Sequence, residues 1–244
     1  MKLAILQSNY IPWKGYFDIM NLADEFIVYD SAQYTKNDWR NRNLLRSKSG
    51  TSWLTIPVAT AGRSDQRINE AVISDPRWAR KHWATVDQLL RGYEYFDLYK
   101  EAWREWYDKS AGMALLHEVN MIFLQGLAAQ LGLQTRFRDD REFVIAANSP
   151  TGRLVDLCRQ VGAESYVTGP SALSYLELER FHAAGIRVDV VRYDSYPKYS
   201  QQALPFDHRV SVLDLLASEG PAARRHLLGK HFTVSPSDLE RSEQ

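Results

Sequence analysis

The first thirty residues constrain the fold more than any other stretch. Lys2 to Gln7 is a short apolar run of the length of a buried parallel strand, and Phe26 to Tyr29 repeats it. Between them a helix is predicted from near Trp13 to Gly15, turning Phe17, Ile19, Met20 and Leu22 toward a sheet and ending before Asp24. Two such strands joined by a helix form a right-handed parallel crossover, which already excludes a purely helical or purely antiparallel fold.

The rest of the chain extends this start. Trp53 to Val58 alternates as a further strand, closed by Pro57. From Pro76 to Leu131, apolar residues recur three and four apart in three blocks broken at Gly92 and at Ser110 to Gly112, which predicts three amphipathic helices. After Gly132 the alternation returns: a strand at Thr135 to Arg138 or Phe143 to Ala146, a helix from Thr151 to Val161, a strand at Ser165 to Thr168, a helix from Leu176 to Ala184 and a strand from Arg187 to Tyr193. A last helix over Ser211 to Leu216 opens with Ser211 and Asp214 in capping-box spacing. The expected fold class is α/β, a largely parallel twisted sheet of Rossmann-like type with helices on both faces and a helical insertion at about 76–131. Residues 1–232 are expected to form a single domain, and residues 233–244 a polar, frayed tail.

Composition narrows the function classes. Thirty basic residues balance thirty acidic ones, so no overall field draws the chain to nucleic acid or an anionic membrane, and an anionic ligand needs a local basic cluster. Cys158, the single cysteine, sits in an apolar helical pattern and reads as core. Met1 leads into an apolar run broken at once by Gln7, Ser8 and Asn9, so no signal peptide is read and a cytoplasmic location is expected. No window reaches the roughly 20 apolar residues of a membrane span. The Rossmann dinucleotide fingerprint, P-loop, H-E-x-x-H and G-x-S-x-G motifs are all missing, and the six histidines lack metal-ligand spacing, so no metal ligand is assigned. His82 and His117 lie on apolar helical stripes and read as satisfied core residues.

In an open parallel sheet, ligands bind beyond the carboxyl ends of the strands. After the first strand comes a polar turn whose Gln7, Asn9, Tyr10, Pro12, Lys14 and Gly15 are candidate ligand contacts, with backbone amides and the Lys14 charge suited to a phosphate or carboxylate. After the second, Asp30 to Asn43 packs three cations, four side-chain amides and two large rings into fourteen residues. There Asp30, Gln33 and Arg42 are the candidate catalytic groups, and Tyr34, Lys36, Arg40 and Asn41 candidate contacts. Guanidinium forks pair with phosphate or carboxylate, amides read hydroxyls or a base edge, and Tyr34 or Trp39 can stack. Gly169, Ser171 and Tyr175 follow another strand, and Tyr199 and Gln201 follow the last. Asp30 and Asp194, at strand ends, are the carboxylates placed for acid and base work.

Three segments also carry a family resemblance. Q-S-N-Y-I-P-W-K-G-Y-F from Gln7 to Phe17, Y-D-S-A-Q-Y-T-K-N-D-W-R-N-R-N from Tyr29 to Asn43 and W-L-T-I-P-V from Trp53 to Val58 resemble the WbqC-like proteins of bacterial surface-polysaccharide gene clusters. Tyr199, Gln201 and S-V-L-D-L-L from Ser211 to Leu216 fit the same pattern, so the likeness spans nearly the whole chain. Two positions depart from it: Ser8 stands where proline is usual, and Ser31 where a second aspartate often follows Asp30. The resemblance implies an enzyme that transfers a glycyl or other aminoacyl group to a nucleotide-linked amino sugar, with an amino acid derivative such as an aminoacyl-tRNA as donor. The residues also admit an adenylate-forming or nucleotidyl-transferring ligase that needs ATP and magnesium, and a non-catalytic small-molecule binding protein.

Overall fold

The computed structural model describes residues 1–48 and 50–235. The described residues form eight strands: β1 (Lys2–Leu6), β2 (Glu25–Val28), β3 (Arg42–Ser47), β4 (Gly50–Thr55), β5 (Arg136–Asp139), β6 (Ser165–Thr168), β7 (Arg187–Val191) and β8 (His231–Val234). Seven α-helices accompany them: α1 (Lys14–Leu22), α2 (Trp78–Leu90), α3 (Phe96–Ser110), α4 (Leu116–Gln130), α5 (Pro150–Val161), α6 (Leu178–Ala183) and α7 (Val212–Glu219). The main sheet runs β5-β2-β1-β6-β7-β8, parallel throughout except for the antiparallel edge strand β8. This is the α/β, Rossmann-like arrangement that the opening strand-helix-strand pattern implies.

Strand side chains alternate between two cores. Ala4, Phe26, Val28, Val167 and Val191 face α1, α7 and the three helices of the insertion. Leu3, Ile5, Ile27, Tyr166, Val188 and Val190 face α5 and α6. With both faces covered, the strands must be apolar on successive residues, which is why Leu3 to Leu6 reads as a continuous run. Phe17, Phe26, Trp103 and Phe123 are wholly buried, each contributing on the order of 2–3 kcal/mol through area removed from water. Helix α5 has complete end signals. Ser149 Oγ accepts from the Gly152 amide at 3.1 Å, Pro150 occupies the first turn, and Gly162 closes the helix at φ +68°, where a side chain is disfavoured.

Several expectations are corrected. The strand expected over Trp53 to Val58 is β4, and it pairs antiparallel with β3 in a separate hairpin rather than joining the main sheet. β3 escaped the sequence reading because its inward Asn43 and Arg46 satisfy their polar groups on backbone carbonyls instead of being apolar. Of the two strand options after Gly132, the one at Arg136–Asp139 forms, paired with β2. Phe143 to Ala146 is irregular, with Phe143 and Ile145 packed on the second core. Ser211 does cap α7, accepting from the Leu213 amide at 3.3 Å, but Asp214 turns inward to Tyr93 and Tyr199. The tail does not begin at residue 233: Thr233 and Val234 pair with Asp189 and Val188 in β8, while the expectation for 236–244 lies outside the described residues. No helix among the described residues is long and apolar enough to cross a membrane.

Candidate functional site

The chain leaves β1 toward β2 on one side, whereas β6, reached much later, flanks β1 on the other. Helices from the two sides pack on opposite faces, so their connections part at the carboxyl ends of β1 and β6 and leave a crevice there. A cleft of about 580 Å³ occupies that place. Its walls are Gln7 and Asn9 after β1, Tyr29, Gln33, Trp39 and Arg40 after β2, Gly169, Ser171 and Tyr175 after β6, Tyr193 after β7, and Arg153 from the first turn of α5. A smaller, mostly apolar annex of about 360 Å³ adjoins it, lined by Asn9, Pro12, Trp13, Trp39, Asn43 and Arg209. Asn9, Trp13 and Trp39 border both spaces.

The turn after β1 is held in an unusual shape. Ile11 has φ +37°, in the left-handed region that a β-branched residue seldom adopts. Asn43 Nδ2 donates to the Tyr10 carbonyl at 3.2 Å and the Ile11 carbonyl at 3.0 Å, and the Tyr10 amide donates to the Trp39 carbonyl at 3.1 Å. The Ser8 amide donates to Asp30 Oδ1 at 2.8 Å, and Asn120 Nδ2 donates to Ser8 Oγ at 2.9 Å. These bonds join the turn to β3, to the Asp30 loop and to α4, so Asn9 projects into the cleft from a braced backbone.

Asp30 stands behind this wall rather than in it. It is 1% exposed, and its second oxygen accepts from His117 Nδ1 at 2.7 Å. Arg141 Nη2 lies 3.2 Å from His117 Nε2; a guanidinium only donates, so Nε2 accepts and Nδ1 carries the proton given to Asp30. The Ser31 hydroxyl donates to Asp140, whose carboxyl burial pushes above its ordinary range. A second aspartate at position 31 would set another carboxyl against Asp140, whereas Ser31 supplies a neutral hydroxyl donor there. Asp30, expected in the cleft, thus holds the Ser8 amide from behind its wall. Asp194, the other strand-end carboxylate, is exposed and paired with Arg192 at 2.5 Å.

Seven of the expected residues come together in the cleft: Gln7, Asn9, Gln33, Arg40, Gly169, Ser171 and Tyr175; Pro12 lines the annex. Arg40 is central. It donates to Asn9 Oδ1 and pairs with Asp38 at 3.2 Å, and its charge reaches the hydroxyls of Tyr16 and Tyr175. Burial is the main reason that both hydroxyls are held above their ordinary range, so they stay protonated at neutral pH, and that of Tyr16 donates to the Gln7 carbonyl at 2.9 Å.

Other expected contacts are placed elsewhere. Tyr10 is wholly buried, bonded to His82 Nδ1 at 2.9 Å and Tyr107 at 2.7 Å. Lys14 is 2% exposed, with its amine over the rings of Tyr196, Tyr199 and Phe206. Gly15 is required by packing, because a Cβ there would fall 2.2 Å from the Trp13 ring. Tyr34 and Asn41 are buried, Asn41 donating to the Ile56 carbonyl at 2.8 Å, and Lys36 is exposed outside the cleft lining. The Arg42 guanidinium lies 4.3 Å over the Trp53 ring rather than in the cleft. Tyr199 and Gln201 bond to the buried Asp214 at 2.8 and 2.9 Å. The two large signals in these segments, many polar groups and many rings, are therefore divided between residues that line the cleft and residues that brace the turn and the 193–211 segment.

The sequence reading missed Arg153, Tyr16, Tyr193 and Arg209. Arg153 carries a weak signal, as a cation in the first turn of a helix that starts beyond the parallel strand β5. Cys158 is wholly buried, and burial pushes its thiol up to about 12, in keeping with a core residue. Among the described residues no group of three or more His, Cys, Asp or Glu side chains is placed to hold a metal ion.

The WbqC-like protein family matches residues 7–226. The uncharacterized protein Rv1507c of Mycobacterium tuberculosis (strain ATCC 25618 / H37Rv) is 40% identical over 230 residues, which cover 93% of this chain and 97% of that protein. No solved structure matches the chain.

Proposed function

From the premise that the chain belongs to the WbqC-like protein family, we propose that it is a transferase moving an aminoacyl group, glycyl in type, onto the amino group of a nucleotide-linked amino sugar. The observation that carries this reading is the lining of the cleft at the β1/β6 crevice. It presents two guanidinium groups, the amides of Gln7, Asn9 and Gln33, and several protonated tyrosines, with no carboxylate or imidazole among the lining residues. Such a wall favours an anionic, hydroxyl-rich ligand, and its volume accommodates one of nucleotide-sugar size.

It also suits a transfer that needs little proton abstraction. The neutral amine of the acceptor attacks the carbonyl carbon of an activated acyl donor, a C–N bond forms as the bond to the leaving group breaks, and the ammonium proton passes to the leaving group or to solvent. Positioning of two reactants can contribute roughly 7–11 kcal/mol to such a step, and amide or tyrosine donors stabilise the oxyanion that develops on the carbonyl. The same lack of a carboxylate or imidazole also favours a second reading, a binding protein that holds the nucleotide sugar without turning it over.

Thermal melting with nucleotide-linked amino sugars and with amino acids, followed by mass analysis of mixtures containing a glycyl donor, separates the readings. A ligand at about 100 times its Kd stabilises by roughly 2.7 kcal/mol. That gain is expected with the nucleotide sugar and lost in Arg153→Ala, whose free melting temperature stays unchanged because the Arg153 side chain is exposed and, among the described residues, makes one hydrogen bond, to the Ala147 carbonyl. An acylated product supports the transferase, and binding without product supports the binding protein. Pyrophosphate release that depends on ATP would instead identify a ligase.

A further inference from the structure

The apolar annex beside the main cleft has walls that select among ring systems. We propose that it is the base subsite of the nucleotide-linked ligand, and that it takes a uracil or thymine ring in preference to adenine. This inference rests on the nucleotide-sugar reading of the cleft and adds to it the identity of the base.

The first part of the argument is shape and surface. Trp39 borders both the annex and the cleft, so a ring packed on it remains continuous with a phosphate group beside Arg40. Trp39 is 42% exposed, which is a costly way to present an indole unless something covers it. It is braced by Trp53, with ring centroids 5.7 Å apart, and Trp53 is covered in turn by the Arg42 guanidinium. The platform is therefore fixed before a ligand arrives, and base–indole stacking is favourable for any planar base.

The second part is the hydrogen-bonding character of the rim. Asn43 is fully used: its Nδ2 serves the Tyr10 and Ile11 carbonyls, and its Oδ1 accepts from the Leu44 amide at 2.8 Å. Asn9 Oδ1 accepts from Arg40, which can only donate, so the amide orientation is fixed and Nδ2 is the group left to offer. Arg209 uses Nε on Asp207 at 3.1 Å, and its two Nη groups have no partner among the described residues. The side-chain polar groups that the annex has left to offer are thus donors, Asn9 Nδ2 and the Arg209 Nη groups. Uracil and thymine offer such a rim two carbonyl oxygens around a single N–H, whereas the corresponding edge of adenine offers one ring nitrogen beside an amine that meets the rim donor to donor.

The test measures binding of uridine diphosphate, adenosine diphosphate and inorganic pyrophosphate to the intact chain, to Trp39→Ala, to Trp39→Phe and to Arg209→Leu, by titration calorimetry. Uridine diphosphate is expected to bind at least tenfold tighter than adenosine diphosphate. Trp39→Ala should weaken it about tenfold and leave pyrophosphate unchanged, Trp39→Phe should restore most of the loss, and Arg209→Leu should bring the two nucleotides to similar affinity. Arg209 is 81% exposed, so that variant reports on selectivity without a folding defect. If uridine diphosphate binds but adenosine diphosphate binds as tightly, or Trp39→Ala leaves its affinity unchanged, the base subsite is refuted while the nucleotide reading stands. If neither nucleotide binds the unaltered chain, both fall.

Discussion

Replacing Lys14 with methionine should stabilise the protein at neutral pH. The Lys14 amine is buried without a hydrogen-bond partner among the described residues, 4.8 Å from the centroid of Tyr196 and 5.1 Å from that of Tyr199. Burial lowers its pKa from 10.5 to about 8, against the pull of Asp18 and Asp214, each held above its ordinary range by burial. A folded pKa below the unfolded value means that the unfolded chain binds the extra proton. The cost of folding a charged Lys14 is therefore complete below pH 8 and relieved as pH rises from about 8 to 10.5. At about 1.4 kcal/mol per unit the upper bound is roughly 3 kcal/mol, and cation–π attraction with residual solvent screening reduces it to about 2. Methionine keeps the chain length and places a thioether among the rings. Urea denaturation of both proteins at pH 7, 8, 9 and 10 isolates the effect, because the other titrating groups cancel in the difference. The methionine variant should be about 2 kcal/mol more stable at pH 7, with the advantage shrinking above pH 8. A variant less stable at pH 7, or an advantage that does not change between pH 7 and 10, would refute the reasoning.

Two further outcomes follow from buried polar groups. Burial lowers the pKa of His82 to about 4, so its neutral ring accepts from Tyr10 and donates to the Thr55 carbonyl; the stability it contributes is full above pH 6.5 and lost as pH falls toward 4. Between pH 7 and 4 the unaltered protein should lose about 3 kcal/mol more than His82→Gln does, as read from denaturant midpoints. Asn43→Ala leaves the Tyr10 and Ile11 carbonyls without their donor beside a strained backbone, and should cost about 2–3 kcal/mol in urea denaturation and loosen ligand binding at Asn9; unchanged stability would show that the turn holds itself.

Much of the architecture was legible because periodicity is a local signal. The βαβ opening, the three helices between Pro76 and Leu131 and the strands at Ser165–Thr168 and Arg187–Val191 each bury a face whose spacing is written in consecutive residues. The rule that ligands gather at strand ends also located Gln7, Asn9, Gln33, Arg40, Ser171 and Tyr175, because it depends on strand direction alone. β3 and β8 were not legible: one buries polar side chains that are satisfied from distant segments, and the other gains its place only by pairing with β7.

Tertiary structure alone decided which polar residues face the cleft and which brace it. Tyr10, Lys14, Tyr199 and Gln201 look in sequence like the ligand contacts beside them, yet their partners are Tyr107, Tyr196 and Asp214, between 13 and 182 residues away. Asp30 owes its role to His117, 87 residues along the chain, and Arg153 reaches the cleft only because α5 is carried back across the sheet. Sequence spacing determines which face of an element is apolar, whereas the partner of a polar group is set by three-dimensional proximity, which no local pattern records.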